Sequence, residues 1–294
     1  MPELPDVTVY CEALAARITG ARLEAVELAN PFVLRTAVPP LSAASGRTVT
    51  GVTRQAKRIV IALEGELYLV LHLMIAGRLR WLAPGRKPPG RITLATLVFS
   101  TGRIAFTEAG TKRRAALHLV QGSAGLRALD PGGLDVFAIS ADAFAAQLTR
   151  ENHTLKRALT DPKLFSGIGN AYSDEILHRA RLSPIQLTGK LSAADVARLY
   201  VAAREVLQEW TDRLREQAGE DFPVEVTAFR PEMAVHGRFG KPCPVCGAPV
   251  QRIVYAENEC NYCARCQTGG VVLADRALSR LLHKSWPRSI DALE

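Results

Sequence analysis

The chain has 294 residues and a formal net charge of +8, with 48% hydrophobic and 22% charged residues. That is ordinary globular usage, which excludes a disordered chain, a collagen and a coiled coil. It leaves room for about two domains whose cores need no disulfides, and no run of 18 apolar residues predicts a membrane span. The basic excess points to a polyanionic partner such as nucleic acid, or serves solubility alone.

The first residues, MPELPDVTVYCEALAAR, carry acids early and lack a basic-then-apolar signal pattern, so secretion is not expected. Val7, Cys11, Leu14 and Ile18 share one face of a helix over residues 5–19, with Pro5 in its first turn and Gly20 as its C-terminal cap. Hairpins follow. Arg58–Leu63, a Glu64-Gly65 turn and Leu67–Leu73 form one; Ile92–Phe99, Ser100–Gly102 and Ile104–Phe106 form another. The first ~120 residues therefore predict a β-sandwich. Gln121–Gly133 is rich in Gly and Pro and reads as a linker. From Ser140 to about Gln217 the pattern is helical, and LSAADVARLYVAAREVLQEW is an amphipathic helix capped by Ser192. Residues 220–242 are irregular, and ADRALSRLLHKSW predicts a last helix before Pro287.

Five of the six cysteines crowd into 24 residues. Cys243-x2-Cys246 and Cys263-x2-Cys266 are two knuckles that together offer four thiolates, the set that tetrahedral Zn²⁺ takes in a zinc ribbon. A pair of redox CxxC motifs is the competing reading. Cys260-x2-Cys263 is also a knuckle, but the regular pairing makes Cys260 a spare thiol.

Two further features are open to opposite readings. HTLKRALTDPKLFSGIGNAYSDEILHRARLSP predicts two helices joined by the turn Gly167-Ile168-Gly169-Asn170. Free N–H groups at the second helix start favour a phosphate, yet the same pattern serves any tight helix–helix turn. Removal of Met1 would leave Pro2 as a secondary, nucleophilic amine at a helix start, with Glu3 beside it to move protons; most chain termini do no chemistry.

Taken together, PELPDV at the N-terminus, GIGNAYSDE in mid-chain and the C-terminal CPVCG…CARCQ resemble the formamidopyrimidine-DNA glycosylase/endonuclease VIII family over residues 1–267. The resemblance implies an α+β fold: a β-sandwich, a helix–two-turn–helix module and a zinc ribbon, with DNA in the cleft. The corresponding segments here are 1–122, a linker at 123–135, 136–222 and 223–270, with an extension at 271–294. It also implies roles. Pro2 matches the nucleophile that attacks the sugar C1′, Glu3 the acid/base that assists ring opening, and Lys57 a lysine on DNA phosphate. Asn170 matches a phosphate-binding asparagine, Lys156 and Tyr172 lie where the module lends further DNA contacts, and Glu175 matches a carboxylate of its second helix. The family is both glycosylase and lyase: the iminium formed on proline eliminates the 3′ and 5′ phosphates. The target base must leave the stack, and a side chain fills the gap.

Several positions depart from the family pattern. Asp6 replaces a glutamate. Ile75 aligns with the wedge methionine, with Met74 adjacent. The family's Arg-x-Phe reads Arg113-x-Ala115 after a longer loop. Asn258 stands where an arginine grips the flipped nucleotide's phosphate, and Cys260 replaces a threonine. The sequence thus predicts a bifunctional base-excision enzyme acting on damaged double- or single-stranded DNA. It holds one structural Zn²⁺ on Cys243, Cys246, Cys263 and Cys266, and it is monomeric, cytoplasmic and free of membranes. The alternative is a catalytically weak lesion-binding protein on the same scaffold.

Overall fold

The computed structural model describes residues 1–83, 85–224, 226, 230–255, 258–274 and 287–292. The chain forms two compact units, residues 1–131 with 210–227, and 132–209 with 228–294.

The first unit is a β-sandwich. Helix α1 (Leu4–Ile18) precedes eight strands: β1 (Leu23–Leu28), β2 (Val49–Gln55), β3 (Arg58–Leu63), β4 (Leu67–His72), β5 (Gly77–Leu82), β6 (Thr93–Phe99), β7 (Gly102–Glu108) and β8 (Ala116–Gln121). They make two antiparallel sheets, ordered β1-β6-β7-β5 and β2-β3-β4-β8. Alternation puts Ile59 and Ile61 on one face and Leu69 and Leu71 opposite them, and these meet Leu79, Leu97, Ile104 and Phe106 of the other sheet. Val7, Tyr10, Leu14 and Ile18 of α1 join the same core. The outer faces of Val60, Val70 and Val120 are covered by Leu126 and Leu129. Leu126 lies on helix α2 (Gly122–Ala128), which occupies much of the stretch that composition alone marks as linker. Its Gly/Ala/Ser composition gives little periodicity, and the apolar strip on the sheet decides its conformation.

The second unit is mainly helical. Helices α3 (Ala141–Thr149), α4 (Leu155–Thr160) and α5 (Asn170–Ala180) bury Phe144, Leu148, Leu155, Leu159, Tyr172 and Ile176. Phe144 packs on Phe165 at 4.7 Å between ring centroids. Helix α6 (Ala193–Ala218) begins at the predicted cap, where Ser192 Oγ accepts from Asp195 N–H and Asp195 accepts from Ser192 N–H in return. The boundary between the units falls within α6. The hairpin β9 (Gln251–Tyr255) and β10 (Asn258–Tyr262) and the short helix α7 (Ala264–Gln267) carry the cysteine module. Of the predicted last helix, residues 275–286 lie outside the described residues. Among the described residues no helix is long and apolar enough to cross a membrane.

Candidate active site and metal centre

In the sandwich unit, the N-terminus is drawn into the protein. Pro2 is buried and Glu3 is 1% exposed, because Glu3 is the N-cap of α1 and Leu4 already belongs to the core. Asp6, at the third helical position, accepts the Glu3 N–H at 2.9 Å. The shorter carboxylate that departs from the family pattern therefore caps the helix and fixes Glu3. The terminal amine carried by Met1 has its pKa lowered from 8.0, first by burial. Glu3 and Asp6 pull it up, while Arg78 and Lys57 push it down. Lys57 lies in the two-residue turn of the β2–β3 hairpin, after Ala56 in the left-handed region at φ 51°.

Two basic residues, one beside Lys57 and one beside the terminus, escaped the sequence reading. His72 pairs with Arg58 across β3 and β4 and is pushed down to about 4, first by burial and then by Arg58 and Lys57. Arg78 is the second residue of β5, and its Nη1 donates to the carbonyls of Ile75 (3.2 Å) and Gly77 (2.7 Å). Both stood inside LHLMIAGRLR, but only the fold brings Arg78 to the terminus and His72 to Lys57.

Arg78 braces the turn that holds the two wedge candidates, and the turn separates them. Ile75 is 58% exposed, whereas Met74 is half-buried with φ 52°. The turn closes through Gly77 N–H to Leu73 O at 2.8 Å. The segment that stands for the family's Arg-x-Phe is altered. Ala115 is buried in the sandwich core, and its N–H, with that of Arg114, is held by the buried carboxylate of Glu108. It offers no side chain to a gap in DNA. Arg113 is exposed and donates to Arg91 O at 2.7 Å.

In the second unit, the start of α5 is held from below by charge. Lys156 Nζ donates to Asn170 O (2.6 Å), Ser173 Oγ (2.8 Å) and Asp174 Oδ1 (2.6 Å). Its side chain is only 13% exposed and that of Asp174 is 0%. All three ammonium donors are thus used internally, and Lys156 holds the start of α5. Tyr172, the other expected helper, is 1% exposed in the helical core and presents no surface to a ligand. Asn170 is half-exposed, and its Nδ2 gives one of two hydrogens to Glu259 O at 2.9 Å. Asp174 Oδ2 also accepts from His236 Nδ1 (2.8 Å) and Asn261 N–H (3.1 Å). Glu175 accepts the backbone N–H groups of Ala234, Val235 and His236 at 2.7–2.9 Å.

The four predicted ligands Cys243, Cys246, Cys263 and Cys266 converge, with all sulfurs within 4.8 Å of one another. Four thiolates at that spacing fit one tetrahedral soft-ligand ion, and this is a metal site. Cys260 is not one of the four. It is 1% exposed on β10, and burial, with Asp174 close by, pushes its thiol well above the usual range. Asn258 is exposed at the start of β10, next to the hairpin tip.

A sandwich led by a buried N-terminus, a two-helix turn and a four-cysteine finger define a class of DNA-repair fold, and comparison with known proteins identifies it. Residues 1–115 match the formamidopyrimidine-DNA glycosylase N-terminal domain, 132–216 the H2TH domain of the same enzymes and 240–269 the zinc finger found in FPG and IleRS. The chain is 34% identical to the formamidopyrimidine-DNA glycosylase of Thermus thermophilus over 280 residues, covering 92% of this chain and 100% of that one. The crystal structure of that organism's MutM (Fpg) protein superposes with a TM-score of 0.77 at 31% identity, over 90% of this chain and 98% of the other. A shorter relative, an uncharacterized formamidopyrimidine-DNA glycosylase-like protein of Mycobacterium tuberculosis, is 45% identical over 53% of this chain and 95% of its own. The chain belongs to the formamidopyrimidine-DNA glycosylase family.

Proposed function

We propose that this protein is a base-excision DNA glycosylase that also cleaves the strand through an amine at Pro2. Once Met1 is removed, the Pro2 nitrogen attacks C1′ of the damaged nucleotide and the glycosidic bond breaks. Glu3 delivers a proton to the sugar ring oxygen as the ring opens, leaving an iminium between Pro2 and C1′. Loss of a C2′ proton then expels the 3′ phosphate. The observation that carries this reading is the setting of the terminus: Pro2 is buried at the start of α1 beside the buried Glu3, and burial, with Arg78 and Lys57 nearby, lowers the pKa of the amine that Met1 carries, surroundings that would equally favour the neutral form of an amine at Pro2. Lys57, Arg113 and Asn170 are the proposed phosphate contacts. Ile75, exposed on its braced turn, is the proposed filler of the gap left by the flipped nucleotide. Zn²⁺, one ion, is the proposed occupant of the four-cysteine site, where it holds the finger's fold.

Asn258 tunes the substrate range. A neutral amide at the phosphate gives a hydrogen bond of about 1 kcal/mol, against roughly 1.5–3 kcal/mol for a charge-assisted one. Extruding a paired, stacked base should therefore suffer most, and open or abasic DNA, single strands included, should be the better substrate. A second reading, a lesion-binding protein with little catalysis, draws on the same neutral tip and on the burial of Ala115.

Borohydride trapping on abasic DNA separates the two. Protein verified to begin at Pro2 should give a covalent adduct, and protein retaining Met1 should bind DNA without one. Equal adducts from both would refute Pro2 as the nucleophile; none from either would leave the binder.

A further inference from the structure

Helix α5 carries polar residues at 170, 174, 175 and 178, and each bonds the cysteine module or the chain leading into it. Asn170 meets Glu259 O, Asp174 meets Asn261 N–H and His236, and Glu175 meets the N–H groups of residues 234–236. The last of the series reaches the metal ligands themselves. His178 Nε2 lies 3.3 Å from Cys243 Sγ, and His178 is 7% exposed. A sulfur bound to a metal ion is a thiolate and has no proton to give, so the imidazole must be the donor.

We propose that His178 is an outer partner of the metal centre: its Nε2–H bonds the Cys243 thiolate, lowers the charge at that sulfur and ties the ion to α5. Four thiolates around a divalent ion carry a net charge of −2, which is costly in a buried setting. A donor aimed at one sulfur offsets that charge and fixes the rotamer of its ligand before the ion arrives. Through α5 the same contact reaches Asn170, two turns towards the N-terminus. His178 is a positioning residue; it is not one of the four ligands. The inference rests on the metal reading of the cysteine cluster.

The test uses full-length protein loaded with cobalt(II), whose thiolate-to-metal charge-transfer band reports the sulfur donors, and zinc competition against a chelator. His178→Leu removes the donor at similar volume, and His178→Gln keeps an N–H. Loss of an outer-shell hydrogen bond of this kind typically weakens metal binding about 10–100-fold. The Leu variant should fall in that range with its charge-transfer band moved to lower energy, because an unbonded thiolate gives up its electron more easily. The Gln variant should recover most of the affinity and the wild-type band. If the Leu variant binds as tightly as wild type, or weakens with the band unmoved, His178 only fills space and the proposal is overturned. A wild-type chain that takes up no cobalt would refute the metal reading, and this inference with it.

Discussion

Lys156→Met decides whether Lys156 holds the protein or holds DNA. In the structure its ammonium gives three short hydrogen bonds, one to a carboxylate that is 0% exposed. Removing one partner of a buried ion pair costs about 3–5 kcal/mol because the other charge stays behind. Asp174 keeps His236 Nδ1 and Asn261 N–H, so the lower end of that range, about 3 kcal/mol, applies here. For a unit of this size each kcal/mol moves Tm by roughly 2–4 °C, which gives a drop of about 6–12 °C. Asp174→Asn in the same chain should recover part of it, since the stranded charge is gone. DNA affinity should fall because Asn170 loses its support. The slope of log affinity against log salt should not change, however, because no cationic phosphate contact is removed. A phosphate-binding lysine would take about 0.9 off that slope for duplex DNA. A variant with wild-type Tm and a slope shallower by that amount would refute the structural assignment and return Lys156 to the DNA.

Gly77→Ala should disable the wedge turn. A Cβ there would sit 2.2 Å from Leu73 O, a backbone atom that cannot swing away. Strain of roughly 1–3 kcal/mol should cut excision from paired duplex on the order of tenfold, while trapping on single-stranded abasic DNA changes far less; equal effects on both would remove Ile75 from the wedge role. Cys263→Ser should lose bound metal and DNA affinity together, while Cys260→Ser keeps both, as read by metal per chain and by gel shift. Loss of metal from Cys260→Ser would overturn the ligand set. The rate of borohydride trapping should rise with pH and be lost as pH falls through the pKa of the Pro2 amine, which the burial that lowers the pKa of the amine on Met1 should lower as well. Arg78→Gln removes a nearby positive charge and should move that limb to higher pH; an unmoved limb would take Arg78 out of the site.

The parts of this molecule legible in the sequence are those whose signal is local. The helix over residues 5–19, the two hairpins, the Ser192 cap and the paired cysteine knuckles each depend on neighbours within a few positions, and each stands within a residue or two of its expected place. What stayed hidden depends on long-range contact. Arg78 becomes part of the terminal site only because the fold brings the start of β5 to the chain's N-terminus, and His72 meets Arg58 and Lys57 only through the pairing of β3 with β4. The resemblance puts Lys156 and Tyr172 among the DNA contacts, but nothing local in the sequence shows that the ammonium of one bonds Asp174 and that the ring of the other lies in the helical core. Asp174 itself sits inside GIGNAYSDE beside the more conspicuous Glu175, and its partners His236 and Asn261 lie 62 and 87 residues away.

The buried charges of α5 answer a problem that apolar packing would leave open. The turn before the helix places Asn170 against Glu259 O, one residue from the finger tip at Asn258. An apolar interface of equal volume could be as stable, but it tolerates small slips along or around the helix. Asp174, at 0% exposure, does not. Rotating α5 by one residue, about 100°, would swing its carboxylate away from Lys156, His236 and Asn261 together and leave a buried charge unpaired. Glu175 imposes the same condition through three backbone N–H groups. The register of α5 against the finger is therefore fixed by the cost of the alternatives rather than by the strength of any one bond. A half-ångström error there would be carried directly to the amide of Asn170, where the proposed phosphate contact has to be made.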